Sequence, residues 1–180
     1  KSNEMGVWKL KQFRIKIFSD GADVNEIVTM DKMDSIDGFT TNPTLMAKAG
    51  VKDYLDFAKN VLSKVKKKSI SFEVFSDDLD EMYKQALILR DLGENVSVKI
   101  PVTNTKGMPT YSLIERLSNE GVKLNVTAVF TQAQIQSIYD ALNPEINSII
   151  SIFSGRIANA GIDPEPIVKF AVNLCMNYEK

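Results

Sequence analysis

Six short runs rich in β-branched and aromatic residues punctuate the chain: Arg14–Ser19, Ile36–Thr41, Ser69–Phe75, Val96–Val102, Lys123–Phe130 and Ser148–Phe153. Such residues fit a pleated, half-buried surface, so each run predicts a strand. Their starts recur every 22–33 residues, which is room for one strand, one helix and the loops between them. The stretches between the runs carry helical spacing instead. Val51, Leu55, Ala58, Leu62 and Val65 fall on one face of a helix. Met82, Ala86 and Leu89, with Leu87 nearby, do the same behind Asp77-Asp78 as an N-terminal cap. Leu113, Ile114 and Leu117 mark a further helix stopped at Gly121, and Gln134–Leu142 another that ends near Pro144. Asp163-Pro164 opens the last, which turns Ile167, Phe170, Ala171 and Leu174 inward. Strands and helices in strict alternation predict a parallel sheet covered by helices.

Parity along the strands selects among parallel sheets, because successive side chains point to opposite faces. Val96, Val98, Ile100 and Val102 share one face, and Ser97, Lys99 and Pro101 the other. Ile70, Phe72 and Val74 oppose Ser69, Ser71, Glu73 and Phe75; Leu124, Val126 and Ala128 oppose Lys123, Asn125, Thr127 and Val129. One greasy face and one face bearing polar groups, repeated from strand to strand, fits a closed lumen with a reaction site at its top. An open doubly wound sheet is more often apolar on both faces, and the glycine-rich phosphate loops of its nucleotide-binding versions are missing. The expected fold is therefore α/β, a (β/α)8 TIM barrel of which about six βα units stand in these 180 residues. Residues 1–13 read as an N-terminal extension, with Met5 a candidate start, and 14–180 as the barrel domain lacking its last two units.

Composition narrows the function. Hydrophobic residues make up 44% and charged residues 25%, with a net charge of −1. That is ordinary for a soluble globular chain and gives no basic stripe for nucleic acid. No apolar run is long enough to cross a membrane, and Lys1–Lys11 lacks the apolar stretch of a signal peptide. A single cysteine, Cys175, rules out an internal disulfide, fits a reducing cytoplasm and reads as a small core residue on the last helix. The chain has no histidine, so Ser-His and Cys-His triads and His-ligated zinc are excluded and no metal is expected. Acid–base chemistry then falls to carboxylates, lysines, tyrosines or water.

Lys99 is the residue that does not belong. It interrupts Val96-Ser97-Val98-Lys99-Ile100-Pro101-Val102, otherwise a buried strand, and burying an ammonium costs several kcal/mol. One use for such a lysine is an amine that attacks a carbonyl and forms a Schiff base; a buried ion pair with Glu73 or Asp20 is the structural alternative. The strands' C-terminal ends also hold Asp20, Asn42, Glu73, Asn125, Thr127 and Ser151, where parallel barrels build their sites. Glu73 could hold a water, Thr127 orient it, Asp20 exchange a proton with a substrate hydroxyl, and Asn42 and Asn125 bind hydroxyls. Each has a plainer reading: Asp20 as the cap of the first helix, Thr-Thr-Asn-Pro as a turn, Thr127 as a strand former. Arg156, after Gly155, offers a donor fork for phosphate or a surface ion pair. Lys64, Lys66, Lys67 and Lys68 read as a solvated helix end.

Taken in order, Gly38–Leu45 (GFTTNPTL), Ser71–Ser76 (SFEVFS), Val98–Val102 (VKIPV), Leu124–Thr131 (LNVTAVFT) and Ile152–Ile157 (IFSGRI) resemble the transaldolase family, in particular its short branch shared with fructose-6-phosphate aldolases. The resemblance implies a (β/α)8 barrel without a cofactor that moves a dihydroxyacetone unit through a Schiff base. The donors would be sedoheptulose 7-phosphate or fructose 6-phosphate and the acceptor an aldose phosphate of the pentose phosphate pathway. It implies Lys99 as the Schiff-base lysine, Asp20 as acid/base, Glu73 and Thr127 on the catalytic water, Asn42 and Asn125 on the donor, and Ser151 and Arg156 on the phosphate. It further implies a cytoplasmic homo-oligomer. The aldolase branch has Gln where this chain has Glu73 and Tyr where it has Phe130, so the resemblance leans to transaldolase. The alternatives are a fructose-6-phosphate aldolase and a non-catalytic, truncated barrel that binds sugar phosphates.

Overall fold

A computed structural model describes residues 15–176; the expected extension over 1–13 and the first residue of the first expected strand lie outside them. The chain gathers into two compact units that divide between Ile70 and Ser71.

In the first unit, β1 (Phe18–Asp20) leads through α1 (Val24–Asp31) to β2 (Gly38–Thr40), then α2 (Pro43–Lys48) and α3 (Tyr54–Lys64). The strands pair in parallel, Phe18 beside Gly38 and Asp20 beside Thr40. Each helix starts on a side-chain cap that satisfies backbone N–H groups left open by the first turn. Asp23 caps α1, Asn42 caps α2 with Pro43 behind it, and Asp53 caps α3. Asp20 is thus not the cap of the first helix; Asp23 is. At the far end of α1, Lys68 Nζ donates to the carbonyls of Asp31 and Met33 at 2.5 and 2.9 Å, so this lysine is a tie between elements and not part of a solvated run. Gly38 must be glycine, since a Cβ there would meet the Ser69 carbonyl oxygen at 2.8 Å and the Phe18 ring at 2.4 Å. Phe39, Met46, Phe57, Ala58, Val61, Leu62 and Val65 form the core. The expected stripe loses its first members: Val51 precedes the helix and Leu55 is exposed.

The division falls within β3 (Ser69–Glu73), and the second unit continues from Ser71 through α4 (Leu79–Arg90), β4 (Val96–Pro101), α5 (Tyr111–Asn119), β5 (Leu124–Val129), α6 (Gln132–Ala141), β6 (Ile149–Ile152), α7 (Ser154–Asn159) and α8 (Glu165–Met176). The strand pairs β4–β5 and β5–β6 are parallel. Greasy parity holds where it was expected: Phe72, Val74, Val96, Val98, Ile100, Val102, Leu124 and Val126 are all buried. They face the apolar stripes of the helices, Met82, Ala86 and Leu89 on α4 and Leu113, Ile114 and Leu117 on α5. At about 25 cal/mol per Å² of apolar area removed from water, this layer supplies most of the folding drive. Six strands in sequence order, alternating with helices, follow the strand–helix repeat of a (β/α)8 fold.

Local details depart from expectation. Asp78 alone caps α4, while Asp77 serves elsewhere. Cys175 is exposed on α8 and not a core residue; partial burial still pushes its thiol pKa up. The short helix α7 follows β6 directly and has no periodic stripe long enough to betray it. Among the described residues no helix is long and apolar enough to cross a membrane.

Candidate active site

The polar face of the second unit collects on three adjacent strands. Ser71 and Glu73 on β3, Ser97 and Lys99 on β4, and Asn125 and Thr127 on β5 occupy alternate positions and so share a side. Register sets Lys99 beside Asn125 and Pro101 beside Thr127. Ser71, Ser97, Lys99, Asn125 and Thr127 are all buried, so every polar atom here must find a partner or carry a cost.

Lys99 is 8% exposed, and its Nζ stands 3.6 Å from Oε2 of Glu73. That is charge contact, longer than a tight hydrogen bond. The amine is paired without being locked. Nearby, the Asn125 side chain links three strands: its Nδ2 donates to Ser71 Oγ at 3.1 Å, and its Oδ1 accepts from Ser151 Oγ at 2.7 Å. Asn125 and Ser71 meet from β5 and β3 with β4 between them. Side chains from alternate strands touch in this way only when the sheet curves, as in the layered interior of a barrel. Each such bond contributes about 1 kcal/mol net, and leaving one partner alone costs about 1–3 kcal/mol. The network therefore fixes the Asn125 amide: its donor faces β3 and its acceptor faces β6.

Thr127 is different. It is 2% exposed, and its hydroxyl has no hydrogen-bond partner among the described residues. A buried, unpaired hydroxyl on the same face as the lysine is an open position for a water or a substrate oxygen. The backbone beside it is irregular. Between β5 and β6 the pairing runs Asn125 to Ile149 and Val126 to Ile150, then resumes at Val129 to Ile152. β5 thus carries one residue more than β6 over this span, a β-bulge. Ala128 sits in it with φ +59°, the only non-glycine residue at positive φ among those described. The extra residue shifts parity. Val129 returns to the greasy face with Val126 and is fully buried, correcting its expected place opposite Ala128. Phe130 is exposed beyond the strand end and meets Phe153 edge-to-face at 5.6 Å.

The loop after β4 borders the same end of the sheet and is pinned. Thr103 bridges Pro109, and Gly107 takes φ +78°. The carboxylate of Asp77 accepts from the Thr105 backbone N–H at 2.7 Å and from its hydroxyl at 2.8 Å. These two bonds hold the Asp77 carboxyl below its ordinary pKa, against the small opposing effect of burial and with Lys106 adding to the lowering. Asn104 Nδ2 donates to the Asp77 carbonyl, and Asn104 Oδ1 accepts from the backbone N–H groups of Lys106 and Met108. A cleft of about 490 Å³ lined by Arg90, Glu94, Gly121 and Lys123 lies at the opposite, N-terminal end of β4 and β5, the end that carries stability in this architecture.

Of the residues singled out from sequence, Lys99 meets Glu73 and Asn125 meets Ser151, and Thr127 shares their face. Arg156 is exposed on α7. Asp20 and Asn42 belong to the first unit. There Asp20 Oδ1 accepts from the Thr40 hydroxyl at 2.8 Å, and Asn42 Oδ1 accepts from the Leu45 N–H at 2.9 Å. Beside Asn42, Thr41 is fully buried with its hydroxyl unpaired among the described residues. Sequence reasoning placed Ser71 on the polar face but gave it no part in the site; its spacing of two from Glu73 was the available signal. Thr41 had none, since it reads as the last residue of a strand.

Residues 17–180 match a family model described as Transaldolase/Fructose-6-phosphate aldolase. Among curated relatives, a "Probable transaldolase" of a Sulfurihydrogenibium species is 42% identical over 153 residues, covering 83% of this chain and 66% of that protein. A second, from Dehalococcoides mccartyi, is 34% identical over 166 residues, covering 91% of this chain and 72% of that protein. A third, from a Hydrogenobaculum species, is 36% identical over 166 residues, covering 91% and 71%. The chain thus spans about two thirds of the length of the curated relatives it matches.

Proposed function

Since this chain belongs to the transaldolase/fructose-6-phosphate aldolase family, we propose that it is a transaldolase whose reacting nucleophile is the Lys99 amine. The observation that carries the reading is the buried Lys99–Glu73 contact at 3.6 Å. A primary amine needs a nearby acceptor for its proton before it can attack a ketone, and it needs a managed water when the carbinolamine loses its oxygen. Glu73 is the carboxylate within reach for both. Thr127, with an unpaired hydroxyl on the same face, orients that water. Asn125, clamped between Ser71 and Ser151, offers a fixed amide to the donor's hydroxyls.

Asp20 exchanges the proton of a donor hydroxyl as the C–C bond breaks, leaving a dihydroxyacetone unit on Lys99 and releasing an aldose phosphate. Asn42 binds the donor, and Ser151 and Arg156 take its phosphate. The acceptor aldehyde then adds to the bound unit, and hydrolysis frees the lysine. These roles follow the family pattern residue by residue. With them come sedoheptulose 7-phosphate or fructose 6-phosphate as donors, the pentose phosphate pathway as setting, the cytoplasm and an assembly of like subunits. Glu73 in place of glutamine and Phe130 in place of tyrosine support transfer over release of free dihydroxyacetone.

Incubation with fructose 6-phosphate and borohydride tests the reading. Mass spectrometry should find a reduced three-carbon adduct on the Lys99 peptide. An adduct on another lysine, or none on the folded chain, rejects it. Release of free dihydroxyacetone without an acceptor sugar would assign the aldolase activity instead.

A further inference from the structure

We infer that the left-handed bulge at Ala128 is a positioning device, which sets Thr127 and Phe130 on the same side of the sheet as Lys99. The inference rests on the transaldolase reading for the role of that side. In an unbroken strand, residues three apart point to opposite faces. Thr127 and Phe130 are three apart. Pairing with β4 stays in register through Pro101 and Thr127, and the Val102 N–H donates to the Thr127 carbonyl at 2.9 Å. On that edge nothing slips. On the β6 edge one residue is added between Val126 and Val129, and the Phe153 N–H donates to the Val129 carbonyl at 2.9 Å once pairing resumes. Val129 is then in step with Ile152 and Val126, buried against the helices. Phe130 follows on the other side, as does Phe153 after Ile152, and the two rings meet at 5.6 Å.

Without the bulge, Val129 would fall on the face of Asn125 and Thr127, and Phe130 would turn into the helix layer. The apolar group would cover the position beside the Thr127 hydroxyl. The conformation that prevents this is costly for any residue with a Cβ, about 1 kcal/mol or more in the left-handed region. Glycine would adopt it freely, and a β-branched residue is the least able to. Strain held beside a buried, unpaired hydroxyl is strain with an evident use. Ala128 touches no reacting atom in this scheme and acts through its neighbours.

Two measurements on folded protein test it, comparing Ala128→Gly with Ala128→Val. In a Cys175→Ser background, single cysteines replace Val129 or Phe130, and maleimide labelling is read by peptide mass spectrometry. The bulge predicts fast labelling at 130 and protection at 129. Adding Ala128→Val should reverse the pattern, and adding Ala128→Gly should leave it. In the second measurement, borohydride trapping at Lys99 per folded molecule should run at the native rate with Ala128→Gly and slow on the order of 10²-fold with Ala128→Val, the scale of a misplacement near 1 Å. Should valine block folding, Ala128→Thr, also β-branched but able to hydrogen-bond, gives the same sign with a smaller slowing. An unchanged labelling pattern in the valine or threonine variant overturns the bulge assignment, and unchanged trapping overturns its role. If the unaltered chain forms no adduct at all, the transaldolase reading fails, and the labelling pattern alone decides the bulge.

Discussion

Two clusters of charge in the second unit are built from similar groups and do opposite things. On the surface, the Arg116 guanidinium lies 3.6 Å from the centre of the Tyr83 ring. The Tyr83 hydroxyl donates to both Glu120 oxygens at 3.1 and 2.8 Å, and Arg116 Nε closes the ring of contacts to Glu120 at 3.3 Å. All three partners find water as well, so the cluster costs little desolvation and ties α4 to α5. In the interior, Lys99 and Glu73 give up most of their water and stand 3.6 Å apart, and the Thr127 hydroxyl gives up its water with no hydrogen-bond partner among the described residues. A protein selected for stability alone would bury hydrocarbon at these three positions. The surface cluster is optimised for the fold; the interior one holds unmet valence, and that is what a reaction can use.

The comparison breaks most sharply at Lys99. Lys99→Met should abolish adduct formation and turnover altogether, and it should destabilise the chain by about 3 kcal/mol because Glu73 loses its cation. Lys99→Met with Glu73→Gln should recover most or all of that stability while activity stays absent. Urea unfolding of the two variants measures it. A double variant as unstable as the single would mean the pair is structural, and the interior cluster no different in kind from the surface one.

Part of this was legible in the chain and part was not. Parity gave the shared face of Lys99, Glu73 and Asn125, because strict alternation in a strand depends only on residue type and spacing. It failed at Val129, since one inserted residue reverses all that follows and alanine carries no sign of a left-handed backbone. Asp77 and Asp78 looked alike as caps. Only the return of the chain at Thr105, 28 residues on, separates the cap from the latch. Cys175 was placed inside by its type, yet α8 leaves it exposed. The short α7 lacks the length over which periodicity becomes visible. What the sequence conveyed was period; what it withheld was every contact fixed by the return of a distant segment.

Thr127 offers the cleanest intermediate test. Thr127→Val keeps the shape and removes only the hydroxyl. If that group is held for chemistry, turnover should fall on the order of 10²-fold, within the range for a lost water-handling group. The folded state should become more stable by about 1 kcal/mol, since an unpaired buried hydroxyl is lost. Opposite signs in kinetics and thermal unfolding are the signature. Equal loss in both would place Thr127 with the structural residues.

Removing the surface clamp should have a smaller effect and one confined to the fold. Arg116→Ala should cost about 0.5–1 kcal/mol, the worth of an exposed cation–π contact with its partly screened ion pair. Much of that cost should disappear in a Tyr83→Leu, Glu120→Gln background, which removes both the ring and the carboxylate and so isolates the coupling. Turnover per folded molecule should not change.

The smallest effect is the Asp77 latch, and its sign follows from the direction of the shift. The folded carboxyl titrates below its ordinary value of 3.8 because Thr105 donates to the ionised form. Its contribution is therefore present in full above 3.8 and is lost as pH falls through the lower folded value. Asp77→Asn should lower stability slightly at neutral pH and flatten the acid limb, so that the variant and the native chain converge once the native carboxyl is protonated. Amide exchange should report the same event locally, with the Thr105 N–H losing protection in the variant at every pH and in the native chain only in acid. A loop that opens equally in both at neutral pH would show that the Asn104 contacts, and not Asp77, hold the rim beside Lys99 in place.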